Sequence, residues 1–290
     1  MHKPFQTLSF VNKTGVRDNE GMKIVDIIDI VKSNDHLRKL TIGNKSIGSD
    51  GIAKICSAVR HGSIVDLDLR NCFENGLGDA MVTSLLTSDG VMNLESLGLE
   101  SNGITSSSIT LLAGFLATNT TLKYLDLEGN DLNDNGALVL ANALRSNASL
   151  GYLRLHSNAI SEVGKEAFDL VVHGDGNLNS IADSNHSCEV IGLSQFDCWN
   201  EDGQPESFNR ARKIYRLLSA RNKSMSTSNV QHFDDIDIKI LPFMLKAVER
   251  YASVVHPTDH HRAAYCRVEP LSILYEVMRK WDKVFPLYTD

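Results

Sequence analysis

Histidines and cysteines are the side chains of this sequence that most directly suggest chemistry. The stretch HPTDHH at 256–261 places three histidines and one aspartate close together. Imidazole and carboxylate groups are zinc ligands, but this stretch contains a proline and lacks both a clear fourth ligand and the regular spacing of zinc sites. We interpret it as a solvated loop, with a metal site as the alternative hypothesis, and assign no metal ligand.

The five cysteines are an odd number without close pairing, which predicts reduced thiols in an intracellular protein. Cys56 occupies a helix position that is alanine in other parts of the chain, so a packing role is expected. Cys72 stands at a turn, where a redox-sensitive thiol is the alternative. Cys188 and Cys198 flank a segment without regular pattern. We expect both to be reduced, with a disulfide between them as the alternative.

No phosphate-binding glycine loop, nucleophile elbow or HExxH motif occurs in the sequence, which predicts a non-enzymatic protein without catalytic residues or cofactor. The net charge of −7 argues against a general binder of nucleic acid or membrane surfaces. No run of about 18 apolar residues could span a bilayer, and the start MHKPFQTLSF is unlike a signal peptide. The expected compartment is the cytosol or the nucleus.

A repeat shows which elements must position any functional residue. Residues 122–130 read LKYLDLEGN, and residues 150–158 read LGYLRLHSN. When each unit is numbered from its first apolar residue, positions 4 and 6 are apolar and lie on one face of a short strand. Comparable phrases begin at Leu37, Ile64, Leu94, Leu122, Leu150 and Leu178, and a looser copy, FQTLSF, begins at Phe5.

The rest of each unit predicts a turn and a helix. Position 9 is Asn102, Asn130 or Asn158, and an inward amide there can bond turn backbone groups that would otherwise lack a partner. Position 15 is glycine in most units, consistent with a tight entry into the next element. Apolar pairs at i,i+4 spacing follow, such as Leu140 and Leu144, and form one helix stripe. Stacking buries apolar faces that a single unit would leave exposed.

This pattern resembles the leucine-rich repeats of the ribonuclease-inhibitor-like type over roughly residues 5–188. The resemblance implies an α/β leucine-rich-repeat solenoid, with a parallel sheet on the concave side and helices on the convex side. Lys45 and Cys72 replace the position-9 asparagine, so their turns should be satisfied differently. In the unit starting at Leu178, Asp183 stands where an apolar residue is expected, so the array is predicted to end there.

The predicted domains are residues 1–188, a leucine-rich-repeat domain of about six to seven units, and residues 189–290, a connector and helical C-terminal cap. Helical spacing of apolar residues predicts helices at about 207–221, 237–254 and 268–285. An open solenoid exposes an apolar end, and terminal units are usually capped.

Two further motifs fit this arrangement. SNHSC (184–188) and LSILYEVMRKW (271–281) are similar to segments of a set of leucine-rich-repeat proteins that carry such a C-terminal cap. That resemblance implies no activity.

The strand positions 3, 5 and 7 point away from the apolar positions 4 and 6. They carry a band of carboxylates, two tyrosines in line beside it, and then an arginine and a histidine. The candidate partner-binding residues are Asp66, Asp68, Arg70, Glu100, Tyr124, Asp126, Glu128, Tyr152, Arg154 and His156. Tyrosine and arginine are favoured interface anchors, which predicts a scaffold that binds a protein partner on its concave face. An ordinary solvated sheet is the alternative.

A second hypothesis is a regulator of a small GTPase. The repeats are similar in type to those of the repeat-built activator of the Ran GTPase, and Arg70 would be the first candidate for a functional arginine. A separate expectation concerns the N-terminal end of the array. Residues 5–10 are predicted to form an exposed edge strand that supports weak self-association by β-pairing.

Overall fold

The computed structural model describes residues 5–12, 23–61, 63–74, 76–175, 177–193, 206–223 and 237–252. The HPTDHH stretch and the helix predicted at 268–285 lie outside the described residues. By contacts the chain divides into two compact units. Unit 1 is Met1–Val171 with Ser187–Cys198, and unit 2 is Val172–His186 with Trp199–Asp290.

Unit 1 contains a seven-stranded sheet whose strands are hydrogen-bonded in sequence order, each parallel to its neighbours. The register aligns the same repeat position on every strand, for example Leu67, Leu97 and Leu125. The predicted α/β leucine-rich-repeat solenoid is therefore confirmed. The strands are β1 (Thr7–Val11), β2 (Lys39–Gly43), β3 (Asp66–Asp68), β4 (Ser96–Gly98), β5 (Tyr124–Asp126), β6 (Tyr152–Arg154) and β7 (Glu189–Ile191).

Helices alternate with the strands, as the change of apolar spacing predicts. They are α1 (Ile24–Lys32), α2 (Ser49–His61), α3 (Gly78–Leu86), α4 (Ser106–Thr118), α5 (Asp134–Leu144) and α6 (Glu162–His173), with a 3-10 helix, Asp89–Asn93, after α3. The strand leucines at positions 4 and 6 form the core with apolar residues of these helices. Leu67, Leu97, Leu125 and Leu153 have no exposed surface.

The position-9 asparagines connect successive turns, as predicted. The Asn130 amide oxygen accepts hydrogen bonds from the backbone N–H groups of Asn102 (3.0 Å) and Ile104 (3.1 Å) in the preceding unit. Its Nδ2 donates to the carbonyl oxygens of Leu99 and Leu127, both at 3.0 Å. Asn102 and Asn158 make equivalent bonds. Together these bonds form a ladder of amides along the array, in which Asn102 and Asn130 are buried and Asn158 is half-buried.

Cys72 replaces the asparagine at this position and satisfies the turn differently. Its thiol donates to the carbonyl oxygens of Ile42 (3.1 Å) and Arg70 (3.2 Å). The thiol thus takes over the donor role that the asparagine amide has in the other units.

The glycine at position 15 is required by close approach between units. A Cβ atom on Gly78 would lie 2.5 Å from the carbonyl oxygen of Gly103 in the next unit, and one on Gly136 would lie 2.5 Å from the Ser106 hydroxyl oxygen in the unit before. Real Cβ contacts are essentially never this short. At Gly78 the obstacle is backbone, so a side chain would force the two units apart, whereas at Gly136 the Ser106 side chain would have to move.

Aspartates link the helix starts of adjacent units. Asp79 accepts hydrogen bonds from the Thr105 N–H (2.9 Å), the Thr105 hydroxyl (2.6 Å) and the Ser108 hydroxyl (2.7 Å). Asp134 accepts equivalent bonds from Ser161 and Gly164. Burial alone would raise the pKa of Asp79, but these hydrogen bonds to the carboxylate lower it overall. The bonds to Ser161 likewise lower the pKa of Asp134.

The end of the array differs from the prediction. The phrase starting at Leu178 forms helix α7 (Leu178–Asp183), not a strand. The Asn177 side chain caps this helix by accepting a hydrogen bond from the Ser180 N–H at 2.8 Å. The last strand is instead β7, which lies in the segment interpreted as a connector and pairs with β6. Strand β7 thus belongs to unit 1 although it follows residue 188, and α7 belongs to unit 2 although it precedes it.

Unit 2 contains α7, helix α8 (Glu206–Lys223), a 3-10 helix (Ile238–Ile240) and helix α9 (Leu241–Ala252). Helices α8 and α9 confirm the helical patterns predicted at 207–221 and 237–254. Their shared core includes Ile214, Tyr215, Met244 and Ala247. That this segment caps the repeats remains a prediction. Within the described ranges, no helix combines the length and apolar character needed to cross a membrane.

A lysine and a histidine are buried in unit 2. Lys213 is 1% exposed, and its ammonium group donates to the carbonyl oxygens of Val172 and Asn185. His186 is 2% exposed, and its Nδ1 has no hydrogen-bond partner within the described residues. Burial, followed by the positive charges of Lys213 and Arg210, lowers the pKa of His186 to about 3. The imidazole is therefore neutral at physiological pH.

Candidate partner-binding face

The side chains at positions 3, 5 and 7 of the repeats lie on the side of the sheet opposite the buried leucines. We call this surface the polar face. The strand register places them in rows that run across the sheet: Asp66, Ser96, Tyr124 and Tyr152, then Asp68, Gly98, Asp126 and Arg154. Backbone hydrogen bonds continue the pairing to a third row of Arg70, Glu100, Glu128 and His156. The sheet therefore brings all ten candidate residues to one face.

Two tyrosines form a stacked pair on this face. The ring centroids of Tyr124 and Tyr152 are 5.2 Å apart, and the planes differ by 11°. The Tyr124 hydroxyl donates a hydrogen bond to Asp126 Oδ2 at 3.2 Å. Burial is the main cause that raises the pKa of Tyr124, so its hydroxyl remains a neutral donor at physiological pH. The stack is ordered before any partner arrives.

Arg154 is paired with two carboxylates of the same face. Its Nη1 donates to Asp126 Oδ2 at 3.0 Å, and its Nη2 bonds Glu128 Oε2. Hydrogen bonding with Tyr124 and the charges of the two carboxylates raise the pKa of Arg154. These contacts join β5 to β6 and leave the arginine charge largely neutralised.

Arg70 is paired in a similar way. Its Nε lies 3.0 Å from Asp68 Oδ2 and 3.2 Å from Asp68 Oδ1, and its Nη2 also bonds this carboxylate. The hydrogen bond with Asp68 is the main cause that raises the pKa of Arg70. To reach a nucleotide phosphate, the guanidinium would first have to leave Asp68. This geometry does not favour the hypothesis of a GTPase regulator.

Two features of the face were not part of the predicted site. The first is Lys39 on β2, whose ammonium group lies 2.7 Å from Asp66 Oδ2 on β3. The second is the internal pairing itself. Asp66 follows Lys39, and Arg154 follows Asp126, by one repeat length, so each pair sits side by side on neighbouring strands. The repeat spacing already contained this signal.

Glu100 stands apart from these pairs. Among the described residues, its carboxylate makes no side-chain hydrogen bond or ion pair. Burial is the main cause that raises the pKa of Glu100, and the negative charges of Asp126 and Glu128 add to it, while Arg70 and Arg154 act in the opposite direction. The charged form of Glu100 is therefore disfavoured on this face, although it lies near two arginines, because Arg70 and Arg154 are bound to other carboxylates.

The residues considered for metal and redox chemistry show no such arrangement where they are described. No group of three His, Cys, Asp or Glu side chains that could hold a metal ion occurs in the described ranges. Cys56, Cys72 and Cys188 are buried free thiols. Burial raises the pKa of Cys56, which disfavours a reactive thiolate. Cys198 and Cys266 lie outside the described residues.

The comparison with protein families supports the repeat assignment. Residues 118–141, from the end of α4 through most of α5, match the family described as Leucine Rich repeat. This segment contains one strand, one buried position-9 asparagine and most of one helix. The match agrees with the leucine-rich-repeat fold that the parallel sheet and its alternating helices show.

One solved structure illustrates the comparison with known folds. The chain is similar to the structure titled Leiomodin-1 Actin-Binding Site 2 (ABS2), with 14% sequence identity and a TM-score of 0.35, over 70% of this chain and 95% of that chain. A likeness at this TM-score indicates neither a common shape nor a common partner. No curated protein matches this sequence.

Proposed function

We propose that this protein is a non-enzymatic interaction scaffold that binds a protein partner through the polar face of its sheet. The stacked pair of Tyr124 and Tyr152 is the observation that carries this proposal. Aromatic side chains dominate binding energy at interfaces, and side chains that are already ordered lose little entropy when a partner binds. Asp126 holds Tyr124 from the next row and so contributes to this order.

The arrangement of charges supports a binding role over catalysis. Asp68 and Asp126 are 8% and 6% exposed, and both are paired with arginines. The Asp126–Arg154 pair joins neighbouring strands, and cross-strand pairs of this kind fix the shape of a surface. They do not place a base beside a nucleophile, which covalent catalysis requires.

The proposal includes the finer assignments of repeat type, cap and compartment. Units of about 28 residues, each with a full α-helix, support the ribonuclease-inhibitor-like type. The apolar helices of unit 2 support a C-terminal cap for the array. Buried free thiols at Cys56, Cys72 and Cys188 support a reducing compartment, the cytosol or the nucleus. Asn119 and Asn147, which begin Asn-x-Thr and Asn-x-Ser triplets, are buried in turns and so unsuited to glycosylation.

The proposal is tested by capturing partners with the native protein and measuring the affinity of each purified partner by calorimetry. Tyr124→Ala and Tyr152→Ala should each weaken binding about thirtyfold, because each removes an interface anchor. Tyr124→Phe, which keeps the ring, should weaken it much less. Lys165→Ala on helix α6 is the control and should bind like wild type.

Melting temperatures show whether each variant remains folded. If both tyrosine variants bind with wild-type affinity and the helix α6 variant loses affinity, the binding site does not lie on the polar face. A GTP hydrolysis assay with a panel of small GTPases checks the regulatory hypothesis directly.

A further inference from the structure

Strand β1 forms one edge of the sheet. It is first in the strand order and, among the described residues, it pairs with β2 alone. The carbonyl oxygen of Gln6 and the N–H group of Asn12 both bond β2. Backbone groups alternate in direction along a strand, so the even-numbered residues face β2. The N–H and carbonyl groups of Thr7, Ser9 and Val11 therefore face the open edge.

This edge is accessible to another strand. Thr7 and Ser9 are exposed, and Val11 is 40% exposed. Leu8 and Phe10 point to the other side of the sheet, where they pack against the core but are only half-buried. The strand sequence TLSFV contains no charged residue or proline, and its pairing with β2 is continuous. Natural edge strands usually carry a charge, a proline or a bulge that prevents pairing, and β1 has none of these.

We propose that β1 pairs with β1 of a second copy of the chain, antiparallel and about a two-fold axis at Ser9. In this register the residues that face the edge meet one another. Ser9 lies opposite Ser9 of the other copy, and Thr7 lies opposite Val11. Each of these pairs exchanges two backbone hydrogen bonds. The two sheets then continue into one another with their polar faces on the same side, and the contact uses none of the candidate partner-binding residues.

The same register also matches the side chains on the core side of the sheet. Leu8 lies opposite Phe10 of the second copy, in the type of pair where the Cα atoms are about 4.5 Å apart and the side chains are closest. Contacts between such cross-strand neighbours stabilise a sheet. A shift by two residues would place Val11 opposite Phe5, which lies outside the strand and whose carbonyl oxygen accepts a hydrogen bond from Asn34 Nδ2 at 3.1 Å.

Charge and symmetry favour a second copy as the occupant. The net charge of −7 is not concentrated at this end of the sheet, because β1 is uncharged and the stretch of α1 with its N-cap balances two lysines against two aspartates: Lys23, Asp26, Asp29 and Lys32. A two-fold contact uses the same strand in both copies and closes at the dimer. A single pair of strands is a small interface, so the dimer should be weak and should depend on protein concentration.

The first test is sedimentation of the full chain over a range of concentrations, in which wild type should change from monomer to dimer. Ser9→Pro removes the N–H group that donates across the two-fold axis in each copy. The bonds between β1 and β2 remain, because this N–H group faces away from β2. The variant should raise the dissociation constant of the dimer at least about tenfold.

A second variant covers the case in which Ser9→Pro lowers the melting temperature of the chain. Ser9→Lys places two like charges opposite each other at the axis and should also weaken the dimer. Thr110→Lys is the control, because it adds the same charge at an exposed position of helix α4 and should dimerise as wild type does.

The register is tested by disulfide formation under mild oxidation. Ser9→Cys places two thiols opposite each other, at a Cα separation of about 5.5 Å that a disulfide can bridge. Thr7→Cys is the matched control, because residue 7 lies opposite residue 11 and the two new thiols do not meet. Ser9→Cys should therefore cross-link at least about tenfold faster than Thr7→Cys. Wild type gives the background from the native cysteines.

Each other outcome overturns the inference. A wild-type chain that stays monomeric at every concentration excludes the dimer. A dimer that survives both Ser9→Pro and Ser9→Lys has its contact elsewhere. Equal cross-linking rates at positions 7 and 9 exclude the two-fold register. A series of species larger than the dimer would indicate an open contact between unlike surfaces.

Discussion

The two units bury polar groups in different ways. In unit 1 the same amide returns at position 9 of successive repeats. Asn102, Asn130 and Asn158 each bond the turn before, and Asn130 and Asn158 also bond the turn to which they belong. In unit 2 a single ammonium group, that of Lys213, serves two carbonyl oxygens with no equivalent group nearby in sequence. The position-9 amides of unit 1 can be predicted from the sequence because they recur with the repeat. The buried Lys213 of unit 2 has no such periodic signal.

The difference also concerns how much stability depends on one residue. A repeat array gains stability from many similar units and interfaces, so one lost bond removes a small share. A small helical core has no duplicate for a buried charge, and the loss of such a group leaves polar atoms without partners. Unit 2 should therefore be the more sensitive of the two to a single polar substitution.

The largest effect is expected for Lys213→Ala. The change removes the donor to the carbonyl oxygens of Val172 and Asn185 and leaves a cavity where the buried stem lay. Loss of a buried charge partner and of buried methylene groups together should cost about 3–5 kcal/mol. The measurement is urea unfolding, followed by amide exchange in helices α8 and α9.

Two further substitutions separate the causes. Lys213→Met keeps the stem and should cost less than Lys213→Ala. Lys246→Ala, an exposed lysine on α9, should change stability by less than about 0.5 kcal/mol. A Lys213→Met variant more stable than wild type would show that the buried ammonium is a net cost to unit 2.

The next effect should appear as a pH dependence of unit 2. The pKa of His186 falls from its usual value to about 3 in the folded protein, so the unfolded chain binds the proton more readily. Its contribution to stability is therefore full above about pH 6.5 and is lost as the pH falls toward 3. We expect a loss of about 2–3 kcal/mol by pH 4, which His186→Gln should remove.

The stabilities of the two units should differ most clearly at acidic pH. In unit 1 the pKa values of Asp79 and Asp134 are lowered, so their contribution disappears only as the pH falls below about 4. Amide exchange at pH 5 should consequently show opening in α8 and α9 while the sheet stays protected. Simultaneous opening of both units would contradict this order.

A smaller effect is expected for the ladder in unit 1. Asn130→Ala removes an amide that serves two backbone donors and two backbone acceptors, and it should cost about 1–3 kcal/mol. Asp131→Ala, at the exposed next position, should cost less than about 0.5 kcal/mol. Denaturant midpoints compare the two variants, and equal losses would mean that the ladder bonds contribute little.

The contrast between repeated features in unit 1 and single features in unit 2 also explains how much of the fold was predictable from the sequence. The spacing of apolar residues defined the strands from β2 to β6 and their helices, because each prediction was supported by the neighbouring units. It was wrong at Leu178, where Asn177 begins helix α7, and it missed β7, whose residues do not repeat the leucine pattern. Single features such as Lys213 and His186 depend on contacts that sequence spacing does not encode.

The candidate site shows both sides of this limit. Alternation along the strands was sufficient to collect the ten residues of the polar face. Their pairing follows from the register between strands, which places Asp126 beside Arg154; the repeat length implies this register, but it was not applied to the charged residues. Arg154 was predicted to bind a partner, and in the structure it also bonds two carboxylates of the same face.

The smallest predicted effect concerns Glu100. The sign of the stability change on substitution shows whether the charge of this side chain stabilises or destabilises the folded protein. Because its pKa is raised, the folded state binds this proton more readily than the unfolded chain, so its contribution to stability falls as the pH rises through the folded pKa. Glu100→Gln should match wild type near pH 3.5 and be slightly more stable at pH 7, by less than about 0.5 kcal/mol for a partly exposed group. Paired thermal unfolding at the two pH values measures this. A variant that is less stable at pH 7 would mean that the Glu100 carboxylate supports the sheet through the charges of Arg70 and Arg154.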